Sequence, residues 1–159
     1  MNEYRQADLK GRSHFSLDFD KYYLTAGTED DYDEVDVYAT AKTYPYRTYA
    51  IEIKDYTNGN HIRNYSKYIC NNIDYGYQID YNKIDYLMDK WKYENRIPII
   101  YARFHDWTII WDIRKIPYEQ RKKQVWTNKD GQHYGQQKEL TWQTYLYFDE
   151  AIWTKTTVN

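Results

Sequence analysis

The chain has 159 residues, 42% hydrophobic and 29% charged, enough for one domain with one core and too few for two well-buried ones. Only 6 Gly and 3 Pro, with charges of both signs dispersed, exclude a collagen-like, mucin-like or low-complexity polymer. A net charge of -2 announces no nucleic-acid partner by itself, and the lone Cys70 excludes an internal disulfide and the paired thiolates of most structural zinc sites.

Aromatic residues make up 19% of the chain, with 21 Tyr and 6 Trp, so these side chains must carry apolar burial that aliphatics usually carry, and each needs a polar outlet for its hydroxyl or indole N–H. The longest apolar run, Ile97 to Tyr101, is interrupted by Pro98 and falls far short of the roughly 18 residues of a membrane span. Met1 to Gln6 shows no basic stretch followed by an apolar one, so the expectation is no export signal and a cytoplasmic address.

Charge is unevenly placed. Between Asp18 and Asp36 eight acids face Lys21 alone, whereas between Arg114 and Lys138 seven Lys and Arg face only Glu119 and Asp130. The second segment is the candidate for holding a polyanion.

In chain order, residues 2–10 read as a short helix ended by Gly11, and Phe15 to Thr25 as extended, with Tyr22 to Thr25 a strand. Glu34 to Ala39 alternates apolar and polar residues as a half-buried strand does. After the break at Pro45, Arg47 to Lys54 alternates again, placing Tyr49, Ile51 and Ile53 on one face and Ala50, Glu52 and Lys54 on the other. These two strands are expected to form a hairpin. Tyr77, Tyr81, Ile84, Leu87, Met88 and Trp91 fall in one stripe at helical spacing and predict the main helix. Ile97 to Phe104 and Trp107 to Ile113, joined at His105-Asp106, read as central strands because they are nearly continuous in apolarity. A short strand is expected at Gln124 to Thr127, and Leu140 to Trp153 packs back without a clear assignment.

The hairpin carries chemistry. If paired residue numbers sum to 88, the turn centres on Tyr44 beside Pro45 and Asp36 lies across from Glu52. Two carboxylates about 4.5–5.5 Å apart at Cβ repel unless a cation lies between them. Hard oxygen ligands suit Mg²⁺ or Mn²⁺, with the Ile53 carbonyl as a third oxygen. Lys54, two residues beyond Glu52 on the same face, is placed to orient or deprotonate a water and to stabilise charge on a phosphate. The four histidines lie at no metal-ligand spacing with one another or with Cys70, and no phosphate loop, nucleophile elbow or dinucleotide fingerprint is present.

Asp36, a strand pair, Glu52-Ile53-Lys54, a helix and a hairpin together resemble the PD-(D/E)xK nuclease superfamily over about residues 22–113. Tyr49 to Tyr56 followed by Ile79 to Leu87 is similar to small phage-encoded members. The resemblance implies an α/β fold with a restriction-endonuclease-like core, a central mixed β-sheet flanked by helices, within one domain of 1–159 whose basic, aromatic extension covers 114–159. It implies Mg²⁺ or Mn²⁺ held by Asp36, Glu52 and Ile53, with Lys54 assisting the water and a further polar group from the following helix, for which Lys83 and Gln78 are candidates. Val35 stands where the family name has proline, and an N-terminal acid has only Glu3 as a candidate.

The function expected is metal-dependent hydrolysis of DNA phosphodiesters by an endonuclease in phage replication, recombination or repair, with Arg121, Lys122 and Lys123 contacting DNA phosphates. No membrane partner is expected, and a homodimer is compatible with this reading. The alternatives are a nuclease-fold module that binds nucleic acid or protein without cutting, and an aromatic-rich carbohydrate-binding or virion component.

Overall fold

A computed structural model describes residues 11–16, 18–27, 35–56, 76–128 and 138–157. The architecture is mixed α/β with few helices. A six-stranded sheet has the order β1-β2-β3-β5-β6-β9, and a three-stranded sheet the order β4-β8-β7. Among the described residues the strands are β1 (Tyr22–Ala26), β2 (Val37–Ala41), β3 (Thr48–Asp55), β4 (Tyr77–Asp80), β5 (Ile97–Arg103), β6 (Trp107–Asp112), β7 (Lys123–Asn128), β8 (Lys138–Leu146) and β9 (Trp153–Thr156), and a helix, α1 (Tyr81–Glu94), lies between β4 and β5. Among the described residues no helix is long and apolar enough to cross a membrane.

The large sheet is mixed because β1, β2 and β3 run as an antiparallel meander, while β5 returns parallel to β3 after the crossover through α1. All seven residues of β5 are buried, as the nearly continuous apolarity of this stretch predicts. Hairpin β2–β3 pairs Val37 with Ile51 and Thr40 with Thr48, the register expected from the alternation and the Pro45 turn.

Alternation divides the core into two faces. Ile51, Ile53, Ile99 and Tyr101 lie on one, packed with Phe15 from the helical residues 11–16. Ala50, Ile100, Ala102 and Trp111 lie on the other, covered by Ile84 and Leu87 of α1. Full burial of a Leu or Ile of this kind contributes about 1.5–3 kcal/mol, so α1 is held mainly by this face. The polar outlets required of the aromatics are present: Trp111 Nε1 donates to the Tyr147 carbonyl at 2.7 Å, and the Tyr101 hydroxyl donates to Asp18 at 2.6 Å.

Three elements differ from the sequence expectation. Gly11 does not end a helix: residues 11–16 are helical, and a Cβ on Gly11 would stand 3.0 Å from Asp55 Cβ and 3.1 Å from Ile53 Cγ2. Glycine serves there for close approach of helix to strand. For the same reason Phe15 and Ser16 are helical rather than extended. Tyr77 belongs to β4, because the Asp80 carboxylate caps α1 through the Asn82 amide at 2.9 Å and starts the helix only at Tyr81. The C-terminal segment packs back onto the rest of the chain, where β8 pairs with β4 and β9 forms the edge beside β6.

Candidate metal and phosphate site

Parity and register bring the site together. Glu52 and Lys54 alternate onto the α1-covered face of β3, the face shared with Ile100 and Ala102 through the pairs Glu52↔Ile100 and Lys54↔Ala102. Asp36 precedes β2, where the β2–β3 ladder ends at Val37↔Ile51. Its own amide turns to the Ile51 carbonyl at 3.2 Å, and its Oδ2 accepts the Ile53 amide at 2.8 Å. Asp36 therefore ends the ladder with its side chain rather than continuing it to a regular pair with Glu52. Its carboxyl still stands close enough for Glu52 to act on it electrostatically.

The expected polar face is not open to solvent. Glu52 is 1% exposed beneath α1. Burial of a carboxylate demands partners, and two ammonium groups meet its Oε1: Lys54 Nζ at 2.9 Å and Lys83 Nζ at 2.7 Å. Lys83 projects from the first turns of α1 between the buried Tyr81 and Ile84, with its stem along the apolar stripe and its head on the carboxylate. Oε2 of Glu52 is buried with no hydrogen-bond partner. Gln78, the other candidate, lies on β4 and accepts the Tyr145 hydroxyl at 3.4 Å instead.

Arg12, which the sequence reading missed, donates Nη2 to Asp36 Oδ1 at 3.1 Å. It follows Gly11 in the helical residues 11–16, and the signal that could have found it was Gly11 as a close-approach glycine rather than a helix stop. Glu3 lies outside the described residues, as do His61, His133 and Cys70.

The charges are strongly coupled. Burial and the nearby Glu52 carboxylate raise the Asp36 carboxyl to about 6 from 3.8, against the opposing pull of the Ile53 amide, Arg12 and Lys54. Burial also pushes Glu52 up, but the two lysines outweigh it and hold its carboxyl below the usual range. For Lys54 burial favours the neutral amine, yet Glu52, Tyr56 and Asp36 overcome it and keep the ammonium protonated well above neutral pH. As a cation Lys54 neutralises the buried Glu52 carboxylate.

A divalent cation fits this donor set on chemical grounds. The Asp36 carboxyl is raised by its burial and by the Glu52 carboxylate acting on it, and a buried oxygen of Glu52 lacks a partner. Hard oxygens of Asp36 and Glu52, with the Ile53 carbonyl, match Mg²⁺ or Mn²⁺. Among the described residues no group of three or more His, Cys, Asp or Glu side chains comes together, so any such ion would rest on a pair of carboxylates.

The basic segment lies elsewhere. The Arg121 guanidinium is engaged by Glu150 through two bonds of 2.6 and 2.7 Å, donates to the Tyr145 carbonyl at 3.0 Å and covers the Tyr147 ring at 4.1 Å. Lys122 is exposed and stands over Tyr81 at 4.2 Å and Trp142 at 4.8 Å; Lys123 is exposed at the start of β7. The three are thus neighbours in sequence but not alike in availability.

No family model, curated protein or solved structure matches the chain.

Proposed function

We propose that the chain is a metal-dependent nuclease of the PD-(D/E)xK type that hydrolyses phosphodiester bonds in DNA. The observation that carries this reading is the meeting of the half-buried Lys54 and Lys83 on the buried Glu52 carboxylate, with Asp36 close enough for Glu52 to act on it electrostatically and Glu52 Oε2 left without a partner. The element order supports it as well. A meander carrying Asp36 and Glu52-Ile53-Lys54, then a helix, then a hairpin, on a mixed sheet with helical residues on both faces, is compatible with the restriction-endonuclease-like core that the sequence resemblance implies.

Asp36, Glu52 and the Ile53 carbonyl would hold Mg²⁺ or Mn²⁺, which when bound supplies Lewis-acid polarisation of the scissile phosphate. The Lys54 ammonium orients the attacking water and stabilises negative charge growing on the phosphoryl oxygens. Lys83 positions Glu52 and shares its charge. Arg12 steadies Asp36 until the site is loaded. In this reading the chain acts on DNA in phage replication, recombination or repair.

A second reading, a nuclease-fold module that binds without cutting, draws on the fact that Lys54, Lys83 and Arg12 already neutralise both carboxylates. One assay separates the two. Labelled duplex, flap, junction and single-stranded substrates, with RNA counterparts, are incubated with Mg²⁺ or Mn²⁺ and with EDTA. Cleavage that needs the metal and disappears in Glu52→Ala supports the nuclease; binding without cleavage at any metal concentration supports the module.

A further inference from the structure

The three-stranded sheet has one face that begins inside the core and runs out of it. Tyr77 and Ile79 of β4 and Leu146 of β8 are buried in the cluster beneath α1. Two-residue alternation carries the same face of β8 outward through Trp142 and Leu140, and β7 adds Gln124 and Trp126 by the pairs Gln124↔Trp142 and Trp126↔Leu140. There the apolar residues are uncovered: Trp126 is 64% exposed, and Trp142 and Leu140 are each 46% exposed. Large exposed apolar side chains gathered on one face mark an interaction surface rather than scatter.

Charge indicates the occupant. Lys122 holds its ammonium over the Trp142 ring, and Lys138 stands on the same face as Leu140 and Trp142. Glu139 alternates to the opposite face, so the aromatic face of the described hairpin carries lysines and no carboxylate. Flat aromatic rings flanked by lysines suit a ligand that offers π-faces and negative charge in alternation. Duplex DNA hides its bases in the stack, whereas an unpaired strand presents them. Trp126 and Trp142 are diagonal neighbours on adjacent strands, about 7–8 Å apart at Cα, within reach of neighbouring nucleotides of one strand.

The platform meets the helix that carries part of the candidate site. Lys122 covers Tyr81, the first residue of α1, and the same helix carries Lys83, which turns away from Tyr81 to reach Glu52.

We propose that the exposed Trp126–Trp142 face of the β7–β8 hairpin is a stacking platform for unpaired bases, which makes single-stranded nucleic acid the substrate class of the neighbouring site. As a statement about substrate it rests on the nuclease reading above; as a statement about binding it stands alone.

The test uses the full chain in EDTA, titrated with fluorescein-labelled oligothymidylate and with a duplex of the same length. Wild-type protein should bind the single strand more tightly. Trp126→Ala with Trp142→Ala should lose at least about 30-fold on the single strand, since each stacked base is worth about fivefold or more, and change little on the duplex. Trp126→Phe with Trp142→Phe should keep most of the affinity. Oligothymidylate should quench wild-type tryptophan fluorescence, and inorganic polyphosphate, which has the charge without the bases, should not; this arm needs no variant. Unchanged single-strand affinity in the alanine pair, or equal quenching by polyphosphate, overturns the proposal. So does a dimer by sedimentation that the alanine pair alone dissolves with DNA affinity intact, which would make the face a contact between two copies. Adding Mg²⁺ reads cleavage separately: binding without cleavage defeats the nuclease reading and leaves the platform standing, whereas cleavage indifferent to the tryptophans defeats the platform alone.

Discussion

Lys83 Nζ lies 2.7 Å from the same Glu52 oxygen that Lys54 holds at 2.9 Å, so a helix and a strand spend two cations on one oxygen and leave its twin without a hydrogen bond. A carboxylate in that position is held ionised and aimed. Replacing it exposes the difference between charge and shape. Glu52→Ala should leave two like charges facing each other and lower Tm clearly; Glu52→Gln should keep the volume and lower it less. Both should abolish divalent-metal binding by calorimetry. Retention of Mg²⁺ or Mn²⁺ binding by either variant would remove Glu52 from the ligand set.

The two lysines are not equivalent in the proposed chemistry. Lys54 shares the strand with Glu52 and is held protonated, so Lys54→Ala should spare metal affinity while lowering the cleavage rate by about two orders of magnitude or more, the scale of losing one oriented stabilising group. Lys83→Ala should reduce the rate by a smaller factor, because Lys83 acts through Glu52. Single-turnover cleavage at saturating metal measures both. Equal losses in the two variants would place Lys83 beside the phosphate as well.

Asp36 gives a pH dependence of defined sign. Its carboxyl is raised to about 6 in the folded chain from 3.8, so the folded state binds the proton more tightly than the unfolded chain does. The resulting contribution to stability is complete below about pH 4 and is lost as pH rises through about 6. In metal-free buffer the wild-type Tm should therefore fall between those values relative to Asp36→Asn, which has no proton to lose. Metal affinity should move the opposite way, rising through about pH 6 as the carboxylate forms. Parallel thermal melts and metal titrations across that window check both, and a Tm difference between wild type and variant that is flat with pH would remove burial and Glu52 as the source of the shift.

These residues also show which parts of the molecule the sequence made legible. Strict alternation in Arg47 to Lys54, a proline at the turn and a matching alternation before it left one register for the β2–β3 hairpin, and that register holds. The nearly continuous apolarity of Ile97 to Phe104 likewise placed β5 at the centre. What escaped depends on contacts between distant segments. Burial of Glu52 comes from α1 lying over it, and the spacing of residues in β3 carries no trace of that. Arg12 reaches Asp36 across 24 positions of sequence from behind a glycine whose role is proximity, not termination. Strand β8 was unreadable because its partner face changes along its length, from exposed at Lys138 to Leu140 to buried at Gln143 to Leu146, so no single period describes it.

The basic segment yields the last prediction, in which the structure separates three residues that the sequence treats alike. Arg121 is already spent on Glu150 and the Tyr145 carbonyl, a bidentate pair that ties the short turn before β7 to the segment after β8. Arg121→Ala should lower Tm and leave the salt dependence of DNA binding nearly unchanged. Lys122 and Lys123 are exposed. If both engage phosphates, replacing them by Ala should flatten the slope of log affinity against log salt by about 0.9 each on duplex DNA and about 0.7 each on a single strand, with affinity falling almost uniformly across sequences. A triple replacement should then flatten the slope no further than the double, because the arginine contributes fold rather than counterion release. Fluorescence anisotropy over a salt series, in EDTA to keep the substrate whole, measures the slopes. A triple variant that flattens the slope by one further step would mean that Arg121 leaves Glu150 for the phosphate on binding, and an unchanged slope in the double would move the phosphate contacts away from this segment.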